Sequence, residues 1–439
     1  MRMKFNKSSQ LLLVSAASLL VAGLVTACGT LTVDFVFVSS AKAAGTNNAG
    51  EIDVLEINSE SGYMRHIPTS PFPSGGRNPV AEAVSSDNTN LYVVNQDDNS
   101  IVQFIIGNDG KLYPQNTINT QGIYPVAVTV NGSNLFVVDL YQPLPTCSTA
   151  EPCSGAISVY PITASSSNPP SDSLGSPVAN GSLTYWPLNI PGKPNDVVEP
   201  TAINVLTNIA TKVSYAYVAA YDVTASANYI FGFSVASGGV LTPLNGGAPL
   251  AGGAFAQGSC TNAFLNAPFE LGTCPSAIAS DSSGSYLYVT DATVGKVHAY
   301  AITSGALKEV SGSPFAAGNA PSAIVVDPKY PYVYVTNALD STVSAFSASN
   351  GVLTNLGTFA TSTEPVAIGI DPSTNHFLFT ANYLFNGVSG TVSGFELNPT
   401  SGALVNSQNT PYTVNAYPTA VAAIPHGATT SSTQSGTQN

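Results

Sequence analysis

The chain has 439 residues and carries 12 Lys and Arg against 25 Asp and Glu, a formal net charge of −13. Proteins that grip nucleic acid neutralise phosphates with clustered cations, so this balance excludes a nucleic-acid partner. Only 8% of the residues are charged, while 38 Gly and 31 Pro punctuate the chain; this excludes a fold built on long exposed helices and favours strands joined by turns.

In chain order, residues 1–27 have the layout of an export signal: Arg2, Lys4 and Lys7, then an apolar run over residues 11–25. That run falls short of the roughly 20 residues that a membrane span needs. Val25-Thr26-Ala27-Cys28 resembles the lipobox of bacterial lipoproteins. The resemblance implies cleavage before Cys28, a diacylglycerol on its thiol and a short lipidated anchor over residues 28–32, with the membrane as partner. Gly29 stands where an Asp signals inner-membrane retention in such proteins, so the cell envelope, on the outer membrane, is the expected location.

Residues 33–424 form the body, and they repeat. One unit runs Pro321-Ser322-Ala323-Ile324-Val325-Val326, then Tyr332-Val333-Tyr334-Val335-Thr336-Asn337, a third strand over 344–348 and a fourth opening at Gly351-Val352-Leu353. The opening Pro recurs at Pro79, Pro125, Pro200, Pro275, Pro321, Pro365 and Pro418; a Gly-x-Leu or Gly-x-Met recurs at Gly62, Gly110, Gly181, Gly239, Gly305, Gly351 and Gly402. Seven four-stranded antiparallel units predict an all-β, seven-bladed β-propeller. The first blade has a second strand (33–39), a third (50–58) and a fourth (62–66) but no first strand. Pro418-Thr419-Ala420-Val421-Ala422-Ala423-Ile424 supplies it, so the C-terminal strand closes the N-terminal blade. Insertions fall around 141–155, 163–181, 190–199 and 246–274, and residues 425–439, rich in Ser, Thr and Gln, are expected to be disordered.

Four cysteines follow Cys28. They form two close pairs, Cys147 with Cys153 and Cys260 with Cys274, which in an exported protein favours two local disulfides. Neither pair has metal-site spacing, so neither metal nor cofactor is expected. Asp97-Asp98-Asn99 lacks the spacing of a calcium loop. Asn95, Asp139, Asp291 and Asn337 end second strands, where their side chains are expected to bond turn backbone, as are Asp281, Asp327 and Asp371 in the following turns. Tyr185 and Trp186 are assigned to blade packing.

The residues just before each blade Pro are Asn78, Tyr124, Glu199, Cys274, Ala320, Glu364 and Tyr417. In a propeller they ring one mouth of the central channel, which makes that ring the candidate site. Glu199, Glu364 and Arg77 are its charged members, a carboxylate pair near one cation that suits a hydroxylated or cationic ligand or a general base; Asn78, Tyr124 and Tyr417 are candidate ligand contacts. The loops 141–155, 221–228 and 383–390 are expected to lengthen the same face.

Tyr334-Val335-Thr336-Asn337, with Tyr288-Val289-Thr290-Asp291 and Tyr92-Val93-Val94-Asn95 as near matches, resembles the YVTN propeller repeat. The chain is also similar to the seven-bladed lactonase family typified by 6-phosphogluconolactonase, through Ser313-Pro314-Phe315 and its variants Ser70-Pro71-Phe72 and Thr410-Pro411-Tyr412. The resemblance implies hydrolysis of a small sugar-derived lactone, with His, Arg and Glu near the blade starts. Here those positions hold Arg77, Glu199 and Glu364 but no His; His66, His298, His376 and His426 lie elsewhere. Three readings follow: a binding module for a small molecule, glycan or protein at the mouth face, a lactonase, or a structural surface protein.

Overall fold

The computed structural model describes residues 32–41, 49–58, 60–148, 150–164, 172–253, 275–371, 377–383, 389–414 and 416–425. Cys28, Cys260, Cys274, His376, His426 and the tail after Pro425 lie outside them. The described strands form seven antiparallel sheets, each a four-stranded meander. In blade six the strands are Pro321–Val326, Tyr332–Asn337, Thr342–Ser349 and Val352–Ala360. The second of these, rich in Tyr and Val, is buried along its whole length, as expected of a strand covered on both faces.

Closure follows the expected route. Tyr417–Pro425 is the innermost strand of blade one and pairs with Thr32–Ala41, Val421 opposite Val38 and Ile424 opposite Phe35. Ala49–Asn58 and Met64–His66 complete that blade. Each innermost strand touches the next around an unbroken ring, so no first or last blade is left with an open face. Seven apolar clusters form the core, one per junction between consecutive blades.

In most blades the Gly-x-Leu marker meets an aromatic of the preceding blade's second strand at these junctions. Gly110 of blade two lies against Phe35 of blade one, Gly305 of blade five against Tyr215 of blade four, and Gly402 of blade seven against Tyr332 of blade six. Two buried tyrosines also donate across the junction, Tyr217 to the Gly305 carbonyl and Tyr334 to the Gly402 carbonyl, each at 3.0 Å. Gly181 departs from this pattern. It sits in a turn bridged from Asn180 to Leu183, where an added Cβ would meet nothing within 4 Å, and the outermost strand of blade three is Ser173–Leu174. The insertion before it displaces the Gly-x-Leu signature, and Leu183 stays exposed where Leu112, Leu241 and Leu404 are buried.

Hydroxyls lock four junctions near the channel. The residue after the blade Pro is a bulge in six blades, and in every blade where it is Ser or Thr it donates to the next blade's Pro carbonyl: Thr201 to Pro275 (2.6 Å), Ser322 to Pro365 (2.6 Å), Thr419 to Pro79 (2.7 Å), and Ser276 to Pro321 likewise. Val80, Val126 and Val366 take the place in the other three blades. The Ser/Thr-Pro bonds of the Ser-Pro-Phe variants are cis. Their hydroxyls accept the third-strand N–H of Val54, Ala299 and Gly394.

Candidate functional site

Each second strand ends beside the start of its own innermost strand, as Asn337 does opposite Pro321, and the third strand starts there too. The fourth-to-first and second-to-third loops therefore share one face, the mouth. Ring positions on it are fixed by backbone. Asn78, Tyr124, Ala320 and Glu364 all adopt left-handed φ, between 50° and 60°. The carbonyls of Asn78, Ala320 and Glu364 accept N–H groups of Gln96, Ala338 and Tyr383 at 2.8–2.9 Å. Asn337 ends its second strand as expected, whereas the strand of Asp139 runs on to Tyr141; both accept turn N–H groups, Asp139 from Gly122 (3.0 Å) and Asn337 from Gly318 (2.9 Å). A Cβ on Gly122 would lie 2.3 Å from that of Asp139, so only glycine permits this approach. Asp281 and Asp327 likewise accept turn N–H groups, from Ser285 and Tyr286 and from Lys329 and Tyr330.

Glu199 differs from its ring counterparts. It lies inside the extended strand Val198–Thr207, opposite Tyr221, and is only 3% exposed. The Tyr141 hydroxyl points at Glu199 Oε1 at 3.5 Å, and Tyr124 stands edge-on to Tyr141 with ring centres 6.2 Å apart. Burial first, then the Glu199 charge, raises the Tyr141 hydroxyl above its ordinary range. A second cluster combines Tyr383 and Tyr417, ring centres 5.2 Å apart, with Glu364. Burial, then Tyr417 and Glu364, pushes the Tyr383 hydroxyl up to about 12. The clusters occupy the junctions of blades three with four and seven with one, on opposite sides of the mouth.

Arg77 joins neither cluster. Its Nε donates to Asp98 Oδ1 at 2.6 Å, its Nη2 to the Asp97 carbonyl at 3.0 Å, and its backbone N–H to Asp98 Oδ2 at 2.7 Å. Asn78 donates to Gln96 Oε1 at 3.2 Å beside it. The two described histidines lie on outer strands: His66 between Asp53 (2.7 Å) and the Tyr412 hydroxyl (3.1 Å), His298 on Glu309 (3.1 Å). No group of three or more His, Cys, Asp or Glu suited to a metal occurs among the described residues.

Cys147 and Cys153 are disulfide-bonded, Cα atoms 5.5 Å apart. Their loop braces the strand bearing Glu199, since Ser154 Oγ accepts the Val198 N–H and donates to the Asp196 carbonyl, and Gly155 N–H bonds the Val198 carbonyl. The expected long loop over 221–228 is instead a tight hairpin, with Tyr221 paired to Asn228 and Asp222 to Ala227; pairing continues because both strands keep their partners to the tip. Trp186 is 2% exposed in the core between blades three and four, as assigned. Sequence reasoning missed Tyr141 and Tyr383. Their one signal was position, at or just past the end of a second strand on the mouth face.

A closed seven-bladed ring with carboxylate and tyrosine clusters at its mouth defines the class. The family profile "Lactonase, 7-bladed beta-propeller" matches residues 36–175 and 274–427, and the chain belongs to that family. The unmatched stretch, 176–273, contains blade four and Glu199. None of the curated proteins compared matches the chain. Among solved structures it is similar to a Bacteroides fragilis protein provisionally assigned as a 6-phosphogluconolactonase (20% identity, TM-score 0.60, 89% of this chain and 98% of that one). It is also similar to the periplasmic gluconolactonase of Pseudomonas aeruginosa (16% identity, TM-score 0.58, 88% and 98%). At these identities the likeness establishes the fold.

Proposed function

We propose that this chain hydrolyses a small sugar-derived lactone lacking a phosphate, at the channel mouth, and that lipidated Cys28 anchors it in the cell envelope. The observation that carries the substrate class is the commitment of Arg77. A phosphorylated lactone needs a cation free to meet it, and the one Arg beside the ring is held by Asp98 and the Asp97 carbonyl. Family membership supports the reaction, and the periplasmic gluconolactonase supports an unphosphorylated substrate.

In this reading Glu199 is the general base. Its carboxylate takes a proton from water, the hydroxide attacks the lactone carbonyl carbon, the ring C–O bond breaks, and the departing alkoxide takes the proton to give the hydroxy acid. Tyr141, already directed at Glu199, supplies a hydroxyl near the developing oxyanion. Tyr124 and Tyr417 offer ring surface to the sugar.

The test compares gluconolactone with its 6-phosphate ester, using residues 29–439 and the Glu199→Gln and Glu364→Gln variants. Turnover of the neutral lactone that falls at least about 100-fold in Glu199→Gln, in a variant that still unfolds cooperatively, is the expected result. Absence of turnover by a folded wild type would refute it. The disulfide-braced loop favours a second reading, binding without turnover; shortening residues 142–155 should then abolish binding while the fold survives.

A further inference from the structure

The third residue after each blade Pro faces the preceding blade. It is Val128, Ile203, Ile278, Ile324, Ile368 and Val421 in six blades, and each packs into the apolar cluster of its junction. In blade two the same position is Glu82, opposite Val93 as Ile324 is opposite Val335. Its carboxyl is buried in the junction with the closing blade. Ser39 Oγ donates to Glu82 Oε2, while Oε1 has no hydrogen-bond partner. Backbone groups of Ala422 and Ser39 also bond it. Ser39 stands where Val94, Val138, Ala219 and Ala381 stand in blades two, three, four and seven, and where Thr290 and Thr336 stand in blades five and six. An acid thus replaces an apolar side chain, with a hydroxyl beside it, at the one junction that joins the two ends of the chain to blade two.

Among the described residues, the elements around Glu82 bring no cation. Closing strand Tyr417–Pro425 contributes Tyr417 at its mouth end; strand Thr32–Ala41 carries Asp34 at its far end, opposite Pro425. Glu51 and Asp53 lie one strand further out, Tyr92 one strand along in blade two, and Tyr124 on the innermost strand of blade three. All are acids or phenols. Ionising Glu82 therefore places an uncompensated charge between the closing blade and blade two, whereas a neutral carboxyl fits there.

We infer that Glu82 and Ser39 form a proton-sensitive latch on the closed ring, shut when the carboxyl is protonated and loosened when it ionises. Burial, partly offset by the Ser39 and Ala422 hydrogen bonds, raises this carboxyl from 4.5 to about 7, which puts the change near neutral pH. A raised acid pKa gives stability that is fully present below pH 4.5 and lost as pH climbs through 7.

Amide hydrogen exchange on the full chain from pH 5 to 8, corrected for intrinsic rates, tests this, with blades five and six as internal reference. Protection of residues 32–41, 79–84 and 417–425 should fall about 50-fold relative to the reference. Glu82→Gln should flatten that dependence and keep the latch shut at pH 8. Protection at the junction that tracks the reference in wild type overturns the inference without need of a variant. An equal pH dependence in folded Glu82→Gln overturns it as well.

Discussion

Asp139→Asn should stabilise the protein at pH 8 and leave it nearly unchanged at pH 4. Asp139 is fully buried. Its Oδ2 accepts from Gly122 N (3.0 Å) and Ser158 Oγ (3.3 Å), and its Oδ1 has no hydrogen-bond partner. Burial raises its carboxyl from 3.8 to about 7. The unfolded chain releases this proton near pH 3.8 and the folded one near 7, so stability declines as pH rises between them and levels off above. A rise of about three pH units corresponds to roughly 4 kcal/mol at pH 8. Sister blades show what an amide does there: Asn337 and Asn382 donate Nδ2 to Ser344 (2.9 Å) and Ser393 (3.0 Å), the counterparts of Ser158. An amide in place of the Asp139 carboxyl would accept from Gly122 and donate to Ser158, burying no charge. Urea unfolding of wild type and variant at pH 4 and pH 8 reads the difference directly. An advantage of the variant at pH 8 that does not exceed that at pH 4 by at least about 1 kcal/mol would mean that the folded protein does not hold the Asp139 proton above its ordinary range.

Other perturbations follow from the same contacts. Thr419→Val removes the one hydroxyl donor shared between the Ser39 and Pro79 carbonyls at the closure and should cost about 1–3 kcal/mol in urea unfolding; a loss below about 0.5 kcal/mol would mean that the hydroxyl locks are incidental. Gly110→Ala sets a Cβ 2.6 Å from Phe35 at a left-handed φ, whereas Gly181→Ala meets no neighbour. The first should cost at least about 3 kcal/mol and the second about 1, compared by the same midpoint shift. Asp98→Asn releases the Arg77 guanidinium and should raise kcat/KM for the phosphorylated lactone relative to the neutral one by about tenfold. An unchanged ratio would show that Arg77 does not decide substrate charge.

The amino-acid order by itself determined the blade count, the strand sequence within each blade and the closure, because these rest on local signals. Alternating Val, Ile and Tyr make the strands, Pro starts each innermost one, and Asn, Asp and Gly make the turns. The exception at Glu82 was equally visible, as Pro79-Val80-Ala81-Glu82 against six copies ending in Val or Ile. What the sequence could not contain is which ring residues face water and which face each other. Glu199 and Glu364 occupy equivalent places before a blade Pro, yet one is buried in an extended strand against Tyr141 and the other sits left-handed at the rim. Arg77 was placed with the glutamates from chain position alone, and a carboxylate 21 residues away claims it. Burial and ion pairing are set by side chains that only the closed ring brings together, so tertiary structure alone decided them.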